Sequence, residues 1–157
     1  MEENIDLQIL RHSCSHIMAQ AVQKLYPTAK LAIGPSIENG FYYDVDLGDI
    51  TLTEKDLTAI ENKMLDLARQ KNDFVRKDVP KADALKYFGD KNETYKVELI
   101  NDLEDGSITY YTQGAFTDLC RGPHLANTEK IKACKILSVA GAFWRGNDKN
   151  PQMNRVY

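Results

Sequence analysis

The chain has 157 residues, of which 43% are hydrophobic and 27% are charged, and its formal net charge is −3. This length is about that of one domain, and the composition is that of a globular protein that can bury a core. The charge argues against a protein that grips long duplex nucleic acid through many phosphates, because such proteins are usually strongly basic.

The first half of the chain predicts two helices around a β segment: a helix over 6–26, β structure over 31–46 and a helix over 53–70. Asp6 is a suitable N-cap for the first helix, and the acidic residues before it do not form a signal peptide. Asn39-Gly40 is typical of a tight turn within the β segment. Thr53 and Asp56 form a box-like start of the second helix.

The second half predicts short elements and then β structure: a strand over 74–79, helices over 81–88 and 93–100, strands from 107 to 125, and a last strand over 134–144. Gly89 is expected to separate the two short helices. We predict one domain over 1–146, and the polar segment 147–157 is interpreted as a linker or extension. The elements together predict an α+β fold, with helices packed on a mostly antiparallel sheet.

No stretch approaches the roughly 20 apolar residues that a membrane helix needs. We therefore expect no membrane contact and a cytoplasmic location. The three cysteines are an odd, sparse set, which does not predict a disulfide framework.

All three histidines fall into two four-residue frames. His12 and His16 are four residues apart on the first predicted helix, and His124 follows Cys120 by four residues. Helical spacing places His12 and His16 on one face. Three imidazoles and one thiolate form a ligand set that suits zinc. Each motif alone also fits a chance pair on an exposed helix or a buried cysteine, but their concentration favours a site.

Other interpretations of these residues are weaker. The metalloprotease motif requires a glutamate directly after the first histidine, where Ser13 stands. Cys14 lies between the two histidines on another face of the helix, and Cys134 opens the last predicted strand. We expect both of these cysteines to be structural.

Two segments resemble the editing motifs shared by threonyl- and alanyl-tRNA synthetases: RHSCSHIMAQAV for the first motif and DLCRGPHL for the second. Two longer segments are similar to the threonyl enzymes specifically: AIGPSIENGFYYDVD and GAFWRGNDKNPQMNRVY. The resemblance covers nearly the whole chain. It implies an α+β editing domain that hydrolyses the ester between serine and the terminal adenosine of threonine tRNA. The implied partners are that serine-charged tRNA 3′ end and the rest of the synthetase.

The resemblance implies six catalytic residues: His12, His16, Lys96, Asp118, Cys120 and His124. Three of these are also expected to bind the substrate: His16, Asp118 and Cys120. A neutral histidine can act as a general base or position water, and a lysine can stabilise developing negative charge. The implied role of Asp118 is to orient Lys96 or bind the substrate's α-amino group. Without the resemblance, Lys96 and Asp118 would be interpreted as a solvated surface pair.

These six residues are predicted to converge in one cleft. Alternation along a strand places Asp118 and Cys120 on the same side. The segment Arg121-Gly122-Pro123 is then expected to turn the chain so that His124 returns to the cleft.

The two branches of the resembled family differ in whether they bind a metal ion. Alanyl relatives bind zinc at this constellation, whereas bacterial threonyl domains work without it. We therefore expect no required cofactor. The alternative is a zinc-dependent deacylase of the alanyl type, with His12, His16, Cys120 and His124 as metal ligands.

A third hypothesis is a non-catalytic binding module in which the constellation is structural. The chain contains no candidate aminoacylation domain and no Walker-type loop. We do not expect it to charge tRNA by itself.

Overall fold

The computed structural model describes the backbone of residues 2–157 and the side chains from Leu7 onward. The helices of this part are α1 (Glu2–Leu25), α2 (Glu54–Arg69), α3 (Lys81–Asp90) and α4 (Thr94–Asn101). The strands are β1 (Lys30–Leu31), β2 (Ser36–Ile37), β3 (Gly40–Phe41), β4 (Tyr43–Asp46), β5 (Val75–Asp78), β6 (Thr109–Gln113), β7 (Phe116–Leu119), β8 (Val139–Phe143) and β9 (Gln152–Val156).

The strands form three sheets, in which every pairing is antiparallel. One has the order β1-β4-β9-β8, one pairs β2 with β3, and one has the order β5-β6-β7. The predicted α+β fold is confirmed. No helix in the described part of the chain is long and apolar enough to span a membrane.

Helix α1 carries the centre of the hydrophobic core. Ile17, Met18 and Ala21 are fully buried, and the helix packs against α2 and β4. It begins at Glu2 rather than at the predicted Asp6, whose side chain lies outside the described residues. Cys14 is buried in the same core, as predicted.

Helix α2 confirms the start that its sequence predicts. The backbone N–H of Thr53 donates to Asp56, and the N–H of Asp56 donates back to the Thr53 hydroxyl. This reciprocal pair satisfies two of the free N–H groups at the helix N-terminus. Met64 and Leu67 then face α1 from the buried side of α2.

Several boundaries differ from the sequence prediction. The β structure expected to run to residue 125 ends at Leu119, the last residue of β7. Gly89 lies inside α3, because the helix continues to Asp90 instead of ending before the glycine. The last predicted strand is shorter than 134–144, since β8 begins only at Val139. The turn expected at Asn39-Gly40 is present, and Glu38 and Asn39 connect β2 to β3.

The C-terminal segment differs most from its prediction. The sequence predicts a linker or extension over residues 147–157, whereas β9 lies between β4 and β8 within the four-stranded sheet. Only Met153 and Val156 of this strand are buried. Its other residues are polar. They contribute backbone hydrogen bonds and, at Arg155, an ion pair with Asp44, and neither interaction depends on apolar side chains. A hydrophobicity pattern therefore gives little indication of this strand.

Candidate active site

The structure brings the six predicted site residues together from three parts of the chain. Helix α1 carries His12 and His16, α4 carries Lys96, and β7 with the loop after it carries Asp118, Cys120 and His124. The potential ligand atoms of the three histidines and Cys120 all lie within 4.8 Å of one another. The predicted convergence of the histidines and Cys120 is confirmed, although His124 contacts Cys120 without lining the cleft itself.

The three imidazoles form a close cluster. The ring centroids of His12 and His16 are 5.1 Å apart, and His124 lies 4.4 Å from His12 and 4.3 Å from His16. Phe74 stacks on the His124 ring at 5.0 Å, and Tyr111 contacts it edge-on at 4.6 Å. His124 is therefore held in one orientation.

Lys96 and Asp118 form a buried ion pair rather than the solvated pair that the residues alone suggested. Lys96 Nζ lies 2.6 Å from Asp118 Oδ1, and both residues are about 2% exposed or less. The ammonium also donates to the Ala32 carbonyl at 2.6 Å and to the Tyr43 hydroxyl at 2.9 Å. Its three N–H groups are thus all engaged within the protein.

Tyr43 is a site residue that the sequence analysis did not identify. Its hydroxyl accepts from Lys96 and donates to Asp118 Oδ2 at 2.7 Å. The alternation Phe41, Tyr43, Val45 could have indicated a side chain on the same face as Val45, which is fully buried. The position of the hydroxyl depends on contacts with α4 and β7, which no local pattern reveals.

Burial dominates the electrostatics of the imidazoles. It lowers the pKa of His16 to about 4, partly opposed by the charge of Asp118, whose Oδ2 lies 3.2 Å from His16 Nδ1. It lowers the pKa of His124 to about 2 and also lowers that of His12. All three imidazoles are consequently neutral at pH 7.

The acidic partners are also fixed in one state. Burial tends to raise the pKa of Asp118, but the nearby Lys96 charge, helped by His16, outweighs it and holds that pKa below its ordinary value. Burial raises the pKa of the Cys120 thiol to about 12. At neutral pH the site therefore contains an aspartate and a protonated thiol.

Hydrogen bonding selects one tautomer of His124. The hydroxyl of Ser13 is fully buried, accepts from the Leu125 N–H at 3.0 Å and lies 3.1 Å from His124 Nδ1. In the described part of the chain, Nδ1 is the only acceptor for the Ser13 proton. If Nδ1 were protonated, that buried hydroxyl would lose its acceptor, at a cost of about 1–3 kcal/mol. The proton of neutral His124 is therefore on Nε2.

This tautomer determines which neighbour accepts the proton of the Cys120 thiol. Cys120 Sγ accepts from His124 Nε2 at 3.2 Å and from the Gly122 N–H at 3.2 Å. The remaining neighbour is His12 Nε2, at 3.5 Å. Since both other partners are donors, the thiol proton points to His12, and His12 Nε2 is the unprotonated nitrogen of that pair. The thiol is a weak donor, so another donor can replace it at this nitrogen.

These groups border a cavity of about 220 Å³. Five of the six predicted residues line it, and His124 stands behind Cys120. Ile33, Pro35 and Leu99 supply apolar walls. The cavity is smaller than the roughly 300–1,000 Å³ of typical ligand pockets, so its size suits an amino-acid-sized group rather than a whole nucleotide. Cys14 and Cys134 pack in the core and do not line it.

The donor set fits a zinc ion in its chemistry. Three imidazoles and a thiol lie close enough together to act as ligands. In the hydrogen-bonded state described above, however, the Cys120 thiol and His124 Nε2 both carry protons. Metal binding would require loss of the thiol proton and a change of the His124 tautomer.

Comparisons with known proteins agree with the geometry. A family model described as "Threonyl and Alanyl tRNA synthetase second additional domain" matches residues 108–157. The chain is 62% identical over 146 residues to the threonine–tRNA ligase of Parabacteroides distasonis, and 61% identical over 147 residues to that of Porphyromonas gingivalis. The chain belongs to the threonyl-tRNA synthetase editing-domain family.

The resemblance seen in the sequence motifs is thereby confirmed. Each of these two matches covers 93% of this editing domain but only 22% of the relative. A third relative, the threonine–tRNA ligase of Cytophaga hutchinsonii, is 56% identical over 146 residues, again 93% of this chain and 23% of the relative. The chain thus spans less than a quarter of the length of the relatives it matches.

Proposed function

We propose that this editing domain hydrolyses the ester that joins serine to the terminal adenosine of threonine tRNA, releasing serine and uncharged tRNA. The observation that supports this most strongly is the cluster of neutral imidazoles, thiol and Lys96–Asp118 pair around one small cavity. The proposed partners are the 3′ end of threonine tRNA and the remainder of a threonyl-tRNA synthetase.

The need for such a reaction follows from the chemistry of the two amino acids. Serine is threonine without one methyl group, and a binding pocket gains only about 1–3 kcal/mol from that group. A second site can instead exclude the larger amino acid by its size. The walls formed by Ile33, Pro35 and Leu99 are suited to exclude the threonine methyl.

In the mechanism we propose, His12 acts as the general base. A water molecule replaces the Cys120 thiol as the hydrogen-bond donor to His12 Nε2, attacks the ester carbonyl carbon and gives up its proton to that nitrogen. The tetrahedral intermediate collapses as the bond between the carbonyl carbon and the ribose oxygen breaks. The imidazolium of His12 then returns the proton to that oxygen, so no net proton is consumed in this cycle.

The ion pair supplies the electrostatic environment for these steps. Lys96 is engaged with Ala32, Tyr43 and Asp118, so it stabilises the developing oxyanion through its fixed positive charge rather than through a free N–H. Asp118 attracts the α-ammonium group of serine. His16 keeps its Nδ1 beside Asp118 at 3.2 Å and helps to orient that carboxylate.

A zinc-dependent deacylase is the second candidate, because the ligand atoms of His12, His16, Cys120 and His124 lie within 4.8 Å of one another. A bound zinc ion would supply Lewis-acid activation of water or of the ester carbonyl. We favour the metal-free reaction, since the chain resembles the threonyl rather than the alanyl branch of the family.

The test is deacylation of threonine tRNA charged with serine or with threonine, using the purified chain. We expect rapid loss of serine with threonine largely retained, and equal hydrolysis of the two esters would contradict the proposed selectivity. Strong chelation should leave the rate unchanged. If chelation abolishes hydrolysis and zinc restores it, the zinc-dependent candidate replaces the metal-free one.

A further inference from the structure

Arg121 differs from the other arginines of the chain. Each of the other five contacts an acceptor within the protein: Arg11 with two backbone carbonyls, Arg69 with Asp66, Arg76 with Asp78, Arg145 with Asp102, and Arg155 with Asp44. Arg121 is exposed, and among the residues described it has neither a hydrogen-bond acceptor nor an ion-pair partner. Its guanidinium is free to bind a ligand.

The position of Arg121 is fixed by its neighbours in the chain. Arg121 lines the cavity, and so do its two chain neighbours, Cys120 and Gly122. The Cys120 N–H donates to the Thr109 carbonyl at 3.1 Å, and the Gly122 N–H donates to Cys120 Sγ at 3.2 Å. The backbone on both sides of Arg121 is therefore anchored, and its exposed side chain belongs to the mouth of the cleft.

The charge at this mouth is not compensated by the rest of the site. Lys96 and Asp118 are paired with each other at 2.6 Å. Arg121 is thus the unpaired ionised group among the residues that line the cavity. Its charge indicates an anionic part of the substrate.

We propose that Arg121 forms a phosphate subsite at the mouth of the cleft and binds the 5′-phosphate of the terminal adenosine there. This inference rests on the proposed function. The ester lies on the 2′ or 3′ side of the ribose, and the 5′-phosphate lies on the opposite side. When the aminoacyl group fills the 220 Å³ cavity, the phosphate is directed outward. A guanidinium suits this ligand because its planar fork donates two parallel hydrogen bonds to phosphate oxygens.

The experiment compares two unreactive analogues that differ by one group. Both carry serine in amide linkage to 3′-amino-adenosine, and only one carries a 5′-phosphate. We expect the unsubstituted chain to bind the phosphorylated analogue about tenfold more tightly at low salt, the size of one charge-assisted contact. Arg121→Gln should remove this preference without weakening binding of the unphosphorylated analogue. Arg121→Lys should retain part of it, since a lysine binds phosphate only as a point charge.

Arg76→Gln is the matched control, because Arg76 is an exposed arginine on β5 that does not line the cavity. It should keep the full preference. The subsite is overturned if the unsubstituted chain binds both analogues equally, or if Arg121→Gln keeps the preference. If neither analogue binds to the unsubstituted chain, the proposed function fails and the subsite fails with it. If the unsubstituted chain binds only the unphosphorylated analogue, the subsite is overturned but the proposed function stands.

Discussion

At the scale of single residues, a hydroxyl one position after His12 controls the state of a different histidine. Ser13 links the Leu125 N–H to His124 Nδ1 and so keeps the His124 proton on the nitrogen that faces Cys120. Ser13→Ala removes the hydroxyl that donates to His124 Nδ1. We expect ¹⁵N NMR of the imidazoles to report Nε2–H for His124 in the unsubstituted chain and a mixture of tautomers in the variant, with deacylation about tenfold slower.

The control for this prediction is Ser15→Ala. Ser15 is equally buried on the same helix, but its hydroxyl donates to the backbone carbonyls of His12 and Gly34. This change should leave the His124 tautomer intact. An unchanged His124 spectrum in Ser13→Ala would contradict the assignment.

A second residue-scale prediction separates the structural and catalytic effects of the ion pair. Lys96→Met leaves the buried Asp118 carboxylate without its cation, which typically lowers the free energy of unfolding by about 3–5 kcal/mol. Adding Asp118→Asn removes the remaining charge. We expect the double variant to recover most of the stability and none of the deacylation, as measured by urea unfolding and tRNA hydrolysis. Recovery of both would mean that the pair only supports the fold.

At the scale of elements, the loop after β7 places Cys120 and His124 through one glycine. Gly122 has a φ of 74°, and a Cβ there would collide with the Tyr111 side chain. Gly122→Ala should therefore shift the loop and lower deacylation by more than tenfold. Gly48→Ala is the matched control, because Gly48 has a φ of 62° with open space around it.

The two glycine variants should share the backbone cost and differ in activity. An alanine in the left-handed region costs about 1–2 kcal/mol, which thermal unfolding should detect in both. Only the Gly122 variant should lose deacylation. Similar activity in both variants would show that the collision does not reach the site.

At the scale of elements, the sequence predicts local geometry but not contacts between distant parts of the chain. The spacing of His12 and His16 on a helix, and of Asp118 and Cys120 around a strand end, predicted shared faces correctly, because those periodicities follow from local backbone geometry. The Ser13–His124 contact spans 111 positions, so local periodicity cannot indicate it. The strand over Gln152–Val156 was missed for a related reason, since it is defined by pairing with β4 and β8 rather than by apolar alternation.

At the scale of the whole molecule, the buried imidazoles make folding sensitive to acid. The unfolded chain protonates histidine near pH 6.5, whereas folded His16 resists protonation until about pH 4. Between these values the unfolded state binds more protons, so the free energy of unfolding falls as the pH falls. His12 and His124 shift in the same direction.

Urea unfolding in the presence of a chelator tests this dependence. From pH 7 to pH 5 we expect His16 alone to contribute a loss of about 2 kcal/mol. His16→Asn should show a shallower dependence, whatever its absolute stability. Asp118 contributes little in this window, because its pKa lies below the ordinary value. A stability that is flat between pH 7 and pH 5 would mean that the imidazoles are not buried in the neutral form.

The whole-molecule charge also determines how this domain should bind tRNA. A net charge of −3 provides no large basic surface, so we expect weak binding that depends on the terminal nucleotide and its amino acid. Counterion release predicts a slope of log affinity against log salt of about −0.7 for each phosphate contacted on a single strand. One or two phosphate contacts near Arg121 would therefore give a slope of about −1.

Titration of intact threonine tRNA, and of the same tRNA lacking its 3′ end, should show that truncation abolishes most of the binding. Tight, steeply salt-dependent binding to the truncated tRNA would instead mean that the body of the tRNA is recognised by a surface other than the cleft.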